Sequence, residues 1–207
     1  MQFSIPADTI KALLLAAPKV DPRYYLKGIL FDVRSTDAVA VTTDGHIMVA
    51  VPLTIEDGET VPVGQYIVPR EALDSIKASK LYNLSFTFDA VARTVTIGNG
   101  GASTTSKLID GTFPEWRRVV PRKVTGTVSQ FQAEYIAAFG KIHKLLGGKF
   151  SPIILHNGDG NGAGGPARVV LAGDAVGVMM PMRYDPQPLE NPLWMGATLE
   201  SAASVAA

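Results

Sequence analysis

One pattern recurs along the chain and restricts what it can fold into: a short strand-like run, a helix-period segment, then about three strand-like runs. In the first copy, residues 2–6 (QFSIP) have strand character. From Ala7 or Asp8 the apolar residues Ile10, Leu13, Leu14 and Ala17 recur at the spacing of one buried helix face, and Pro18 ends the helix. Strand-like runs follow at 24–33 (YYLKGILFDV), 38–43 (AVAVTT) and 46–53 (HIMVAVPL), the last two joined by the hairpin signal Thr43-Asp44-Gly45. The stretch IEDGETVPVG is a loop. A second copy opens at 66–68, where Pro69 begins a helix, REALDSIKASK, with Leu73 and Ile76 facing inward. It continues in LSFTFDAVARTVTIG, an alternating hairpin that turns near Asp89 and Ala90, and in a further strand at 102–108.

The third copy follows the proline-bounded segment DGTFPEWRRVVPRK. VTGTVS reads as its strand and 130–146 as its helix, with Tyr135, Ile136, Phe139, Ile142 and Leu146 buried by spacing and Gly147-Gly148 as the stop. PIILHN, ARVVLAG and AVGVMMPM complete it. The pattern predicts an α+β protein of repeated helix-plus-antiparallel-sheet units without sequence identity between the units. Residues 185–207 hold three prolines and three acids but no base, and read as an extended tail.

Composition narrows the function classes. At 207 residues and 46% hydrophobic, the chain can build one large core or two small ones, which excludes a disordered or fibrous protein. Nineteen bases balance nineteen acids, so no bulk basic field is available to hold nucleic acid and any such contact must be local. The absence of cysteine excludes disulfides, thiol catalysis and cysteine-ligated zinc. His46, His143 and His156 are too scattered to predict a metal site. The N-terminus has no basic region before its apolar stretch, and no run reaches the ~18 apolar residues of a membrane span, so the expectation is a soluble cytoplasmic protein.

Few motifs carry chemistry. In NGDGNGAGGP, Gly160, Gly162 and Gly165 fit a dinucleotide fingerprint, but Pro166 and a strand-like run follow where a helix is needed. Asn157, Asp159, Asn161 and Gly162 fit the first positions of a calcium loop, yet the twelfth position is Arg168 and no helices flank it. A hairpin connection is the simpler reading, and an enzyme or small-ligand protein built on this loop has no other support. LGGKFS lacks the spacing of a phosphate loop. Asp44 and His46 are conceivable as an acid-base pair, but a turn aspartate is the simpler reading. Lys11, Lys77, Lys80, Lys141, Lys144 and Lys149 lie on or beside the three helices, where a solvated face is the default expectation.

Five strings say more. RYYLKGILFDV (23–33), TTDGHIMVAV (42–51), YIVPREAL (66–73), SKLIDGTFPEWRRVVPRK (106–123) and VMMPMRY (178–184) resemble, in order and spacing, the β sliding clamp of bacterial DNA polymerase III. The resemblance divides the chain into 1–123, similar to the clamp's middle domain, 124–184, similar to a shortened last domain, and the tail. It implies the DNA clamp fold, with sheets outside a ring and helices lining a channel around duplex DNA, and a tether with no enzymatic activity and no cofactor. The helix lysines then become expected phosphate contacts. A topological tether needs only a locally basic lining, which a neutral chain can supply.

The resemblance also implies a pocket for short linear peptides of polymerases, the clamp loader and repair proteins. By motif it consists of Tyr25, Leu26, Thr43, Gly45, His46, Met48, Pro114, Arg118, Val119, Val178, Met180, Pro181 and Met182. Leucine, methionine, valine and proline suit an apolar groove, and Arg118 a polar rim. The chain departs from the family in lacking the first domain, in carrying Ile47 where the family has an arginine, and in continuing past the last string. Three units per chain imply a homo-oligomer, four chains making a twelve-unit ring. The alternative is an interaction module or decoy that keeps the pocket without a ring. Gln187, Leu189, Leu193 and Trp194 of the tail loosely echo the glutamine-plus-apolar peptides that clamps bind, so the tail itself is a candidate occupant.

Overall fold

The computed structural model describes residues 2–55, 62–74, 83–121, 129–158 and 165–182. The first unit consists of β1 (Gln2–Pro6), α1 (Ala7–Ala16), β2 (Gly28–Val33), β3 (Ala38–Thr43) and β4 (Ile47–Leu53). The second consists of β5 (Gly64–Pro69), α2 (Arg70–Asp74), β6 (Asn83–Asp89), β7 (Thr94–Asn99) and β8 (Ala102–Lys107). The third contributes α3 (Ala133–Leu145), β9 (Ile154–Asn157), β10 (Ala167–Val170) and β11 (Val176–Met179). The expected continuation of α2 to Lys80, with Ile76, and the expected strand at 124–128 lie outside the described residues.

Three expectations need correction. The run at 24–33 is strand only from Gly28; Tyr24–Leu26 is a turn of 3-10 helix, because the Leu26 and Lys27 amides donate locally to the Arg23 and Tyr24 carbonyls. Pro69 ends a strand instead of opening a helix, which β5 tolerates as the edge of its sheet. Ile136 is 49% exposed, since the buried side of α3 is centred on Phe139, Ile142 and His143.

The first two units exchange their opening strands. β1 pairs with β6 in a four-stranded sheet, β1-β6-β7-β8, and β5 pairs with β2 in a seven-stranded sheet, β5-β2-β3-β4-β11-β10-β9. Every pairing is antiparallel. The third unit joins through β11 and β4, with Met48 opposite Val178 and Ala50 opposite Val176.

The main core lies between the sheets and the helices. Phe31 packs at 5.2 and 5.0 Å from Phe86 and Phe88, and Tyr66 at 5.3 Å from Phe88, so aromatic rings join the two sheets. α1 buries Ile10 and Leu13 as its period demands. Its last carbonyls are satisfied from a distance: Arg70 Nη1 donates to Leu14 O (2.9 Å) and Ala17 O (2.8 Å), in place of a glycine cap. α3 packs beside α1 and rests Phe139 on Gly177 of β11, where any Cβ would strike the ring. Buried His143 accepts the Ala172 amide at Nδ1 (3.2 Å), so Nε2 carries the proton toward Ser151, holding α3 to both flanking segments.

The other face of the seven-stranded sheet carries a second core. Leu30, Val41, Met48, Ala50, Ile67 and Val178 project there and are covered by Phe113 and Trp116 of the segment 108–121, which crosses the sheet as a strap. The strap is pinned at its start by the Ile109 amide on Ile67 O (2.9 Å) and further along by Asp32. Buried Asp32 accepts from Trp116 Nε1 (2.9 Å) and from Arg117, whose guanidinium also lies 4.1 Å over the Trp116 ring. Sandwiched between the helix layer and the strap, β2 is buried at all six positions.

Burial pushes the Asp32 carboxyl up, but the hydrogen bonds from Arg117 and Trp116, with the charges of Arg117 and Arg34, outweigh it and hold the carboxyl below the usual carboxylate range. A folded pKa below the unfolded value of about 3.9 stabilises the fold above that pH, and the contribution is lost as pH falls through the folded value. In a Trp194→Phe background, Trp116 fluorescence should therefore report release of the strap below about pH 4. Asp32→Ala should cost about 2–4 kcal/mol at neutral pH by urea denaturation. If the acid transition of Trp116 is the same in Asp32→Ala, another group controls the strap. Gly177→Ala should cost about 1–3 kcal/mol through its clash with Phe139, read as a lowered melting temperature.

Candidate functional site

The hairpin between β3 and β4 is rigid for reasons its sequence supplies. Asp44 Oδ1 accepts the His46 and Ile47 amides, both at 2.8 Å, and Thr43 Oγ1 donates to Ile47 O (2.7 Å) while accepting the Gly45 amide (3.0 Å). Gly45 has φ +90°, and a Cβ there would lie 2.8 Å from the Arg23 guanidinium. Arg23 Nη2 in turn donates to Asp44 O (2.9 Å) and is held by Asp21 (2.7 Å). The side-chain and backbone hydrogen bonds from Arg23 lower the Asp21 carboxyl to about 2. Asp44 is therefore a turn aspartate. His46 stacks on Tyr135 of α3 at 5.9 Å, so the two form no acid-base pair. Burial, with the nearby Asp44 and Glu134 charges, raises the Tyr135 hydroxyl.

Around this hairpin the two distant halves of the expected pocket meet. Thr43, Met48 and Val178 follow one another across β3, β4 and β11, and Leu26, Met48 and Val178 share the outer core with Tyr25 packed against it. The Met180 amide donates to His46 O and that of Met182 to Gln130 O, both at 2.8 Å, which carries the chain past the hairpin tip. Leu26, Met48 and Val178 are buried, so they form a floor. Met180 (37% exposed) and Met182 (48%) supply accessible apolar surface there, and Val119 (40%) is exposed on the strap. Pro181 is half-buried, and Gly45, His46, Pro114 and Arg118 are exposed.

A cavity of about 520 Å³ opens on the same outer face. Trp116, Arg117 and Val120 of the strap wall it, Ala50 and Val176 form part of its floor, and Arg168 of β10 stands at it. None of its lining residues belongs to the expected pocket. Sequence reading had missed Asp32, Trp116 and Arg117, which place the strap between the two. The available signal was a lone carboxylate inside the apolar run GILFDV.

The remaining candidates are distributed as follows. Lys141 and Lys144 are exposed on α3, Lys11 on α1 is ion-paired with Asp8 at 3.0 Å, and Lys149 lies over the Phe150 ring. Lys77 and Lys80 lie outside the described residues. So do 159–164 of the glycine-rich stretch and the tail. The strands flanking that stretch, β9 and β10, pair antiparallel, so it joins a hairpin, and Arg168 sits in a strand where a phosphate loop needs a helix. Among the described residues no group of three His, Cys, Asp or Glu is placed to hold a metal, and no helix is long and apolar enough to cross a membrane.

The family described as DNA polymerase III beta subunit, central domain, matches residues 4–115, more than half of the chain. The chain is 33% identical over 138 residues to the beta sliding clamp of Proteus mirabilis, covering 62% of this chain and 36% of that protein. It is 34% identical over 133 residues to that of Escherichia coli K12, covering 59% and 34%. It thus spans about a third of the length of these curated relatives. Among solved structures, a DNA polymerase sliding clamp from Pseudomonas aeruginosa with ligand shares the fold at TM-score 0.62 and 21% identity, over 89% of this chain and 66% of that one. A sliding clamp from Bartonella birtlesii bound to griselimycin does so at TM-score 0.63 and 21% identity, over 88% and 66%. With its α+β clamp fold and the central-domain match, the chain belongs to the β sliding clamp family, the beta subunit of DNA polymerase III.

Proposed function

We propose that this chain is a cytoplasmic, non-catalytic replication accessory that binds short linear peptides of polymerases and clamp loaders on its outer face and contributes its helix face to a ring around duplex DNA. In this reading 1–123 acts as a clamp middle domain and 124–184 as a shortened last domain. One observation supports it: β4 and β11, far apart in sequence, pair in register so that Met48 is opposite Val178 and the Met180 amide reaches His46 O, which brings residues expected for the pocket from both ends of the chain next to each other. The buried floor with an exposed methionine rim is the form an adaptable peptide groove takes. The exposed Lys141 and Lys144 on α3, packed beside α1, provide a local basic patch on the helix layer of an otherwise neutral chain.

A fluorescein-labelled glutamine-plus-apolar clamp-binding peptide should bind the protein saturably by anisotropy. Met180→Ala with Met182→Ala should weaken it about tenfold, roughly 1.4 kcal/mol, without lowering the melting temperature, because both side chains are exposed. Absence of binding by the parent protein, or unchanged affinity in the double variant, sinks the pocket. Light scattering tests the ring separately. A closed multimer, with four chains as the expectation from three units each, supports encirclement. A monomer at high concentration leaves the pocket-bearing interaction module as the function.

A further inference from the structure

We propose that the cavity of about 520 Å³ beside the strap is a second peptide site, specific for an extended acidic and apolar segment, and that its occupant is this chain's own segment 187–194. The site lies beyond the residues of the peptide pocket, so it does not depend on that pocket binding anything.

The cavity offers a matching pair of features. Trp116, Val120, Ala50 and Val176 present an apolar surface large enough for an indole ring. Of its two guanidinium groups, that of Arg117 is already committed to Asp32, with Asp37 at 3.8 Å. Arg168 is exposed and has no carboxylate partner among the described residues, so it is the cation left for a ligand. Asp174, in the turn of the same β10–β11 hairpin, also lines the cavity.

Gln187-Pro188-Leu189-Glu190-Asn191-Pro192-Leu193-Trp194 has the complementary chemistry: apolar side chains, one aromatic, and Glu190, within a stretch from 185 to 207 that has three acids and no base. Pro188 and Pro192 restrict the backbone in advance, which lowers the entropy lost on docking. Reach is sufficient. Val178 is opposite Arg168 in the sheet and four residues before Met182, about 13 Å along the chain; Val176 is about 20 Å back. Glu190 is eight residues beyond Met182 and can extend about 26 Å, and Trp194 about 40 Å. A segment that turns back over β10 beside the strap therefore has the length to bring Glu190 to Arg168 and Trp194 to the apolar floor. Tethering holds it at an effective concentration of order millimolar, so weak intrinsic affinity fills the site.

The chain has two tryptophans, Trp116 and Trp194, and no cysteine, which makes the test direct. The emission of the full-length protein minus that of its Trp194→Phe variant, which keeps Trp116 in the cavity wall, should be that of a buried indole that resists acrylamide. In an Arg168→Glu background the same difference should shift to the emission of free tryptophan with several-fold stronger quenching. A free-tryptophan difference in the parent background overturns the proposal. Arg168→Cys with Glu190→Cys supplies a second measurement: oxidation should give a disulfide at monomer mass. No cross-link, or cross-linked dimers only, overturns it.

Discussion

The carboxylate of Asp32 lies in a strand buried at every position, and a charge in such a place is stable only if its partners are supplied in full. Those partners, Arg117 and Trp116, come from 85 and 84 residues later in the chain and from a segment with no regular structure except a turn of 3-10 helix. The pairing therefore fixes more than its own energy. It determines where the strap crosses the outer face, brings Phe113 and Trp116 over Leu30 and Ile67, and divides that face into two flanks. Because Arg117 also lies over the Trp116 ring, loss of the carboxylate frees both residues together.

The junction of β4 and β11 depends on the same two-layer logic. A four-residue strand such as β11 has little stability of its own. Here it is held on the inner side by Phe139 resting on Gly177 and on the outer side by Val178 in the second core. Its position is fixed by register: a slip of one residue would turn Val178 toward the helices and Met179 into the outer core under the strap. Agreement of the two cores on one register is what makes the junction definite.

Much of this was legible in the sequence, and the exceptions have physical causes. The α1 stripe of Ile10 and Leu13, the Asp44-Gly45 hairpin and the β6–β7 alternation are local patterns, readable from spacing and turn chemistry. The exchange of β1 and β5 between units was not legible, because periodicity says that a strand has a buried face and not which partner it has. Tyr24–Leu26 has strand propensity but is turned by two local hydrogen bonds. The residues expected to form a peptide pocket follow from family resemblance and not from any local pattern. The cavity was not found, because Trp116, Arg117 and Arg168 are brought together only by the Asp32 pairing and the third unit.

The resembling strings differ in how much they say about function. Thr43, Asp44 and Gly45 are required by the hairpin, Leu26, Met48 and Val178 by the outer core, and Trp116 and Arg117 by Asp32. Folding alone is sufficient reason for each, so their likeness to a clamp argues for the fold. Met180, Met182 and Val119 are different. They are apolar side chains left between a third and half exposed, the two methionines beside the hairpin and Val119 on the strap, where polar residues would reduce the exposed apolar surface. The pairing of β4 with β11 brings the methionines to the hairpin, and their exposed chemistry is what the fold alone does not explain.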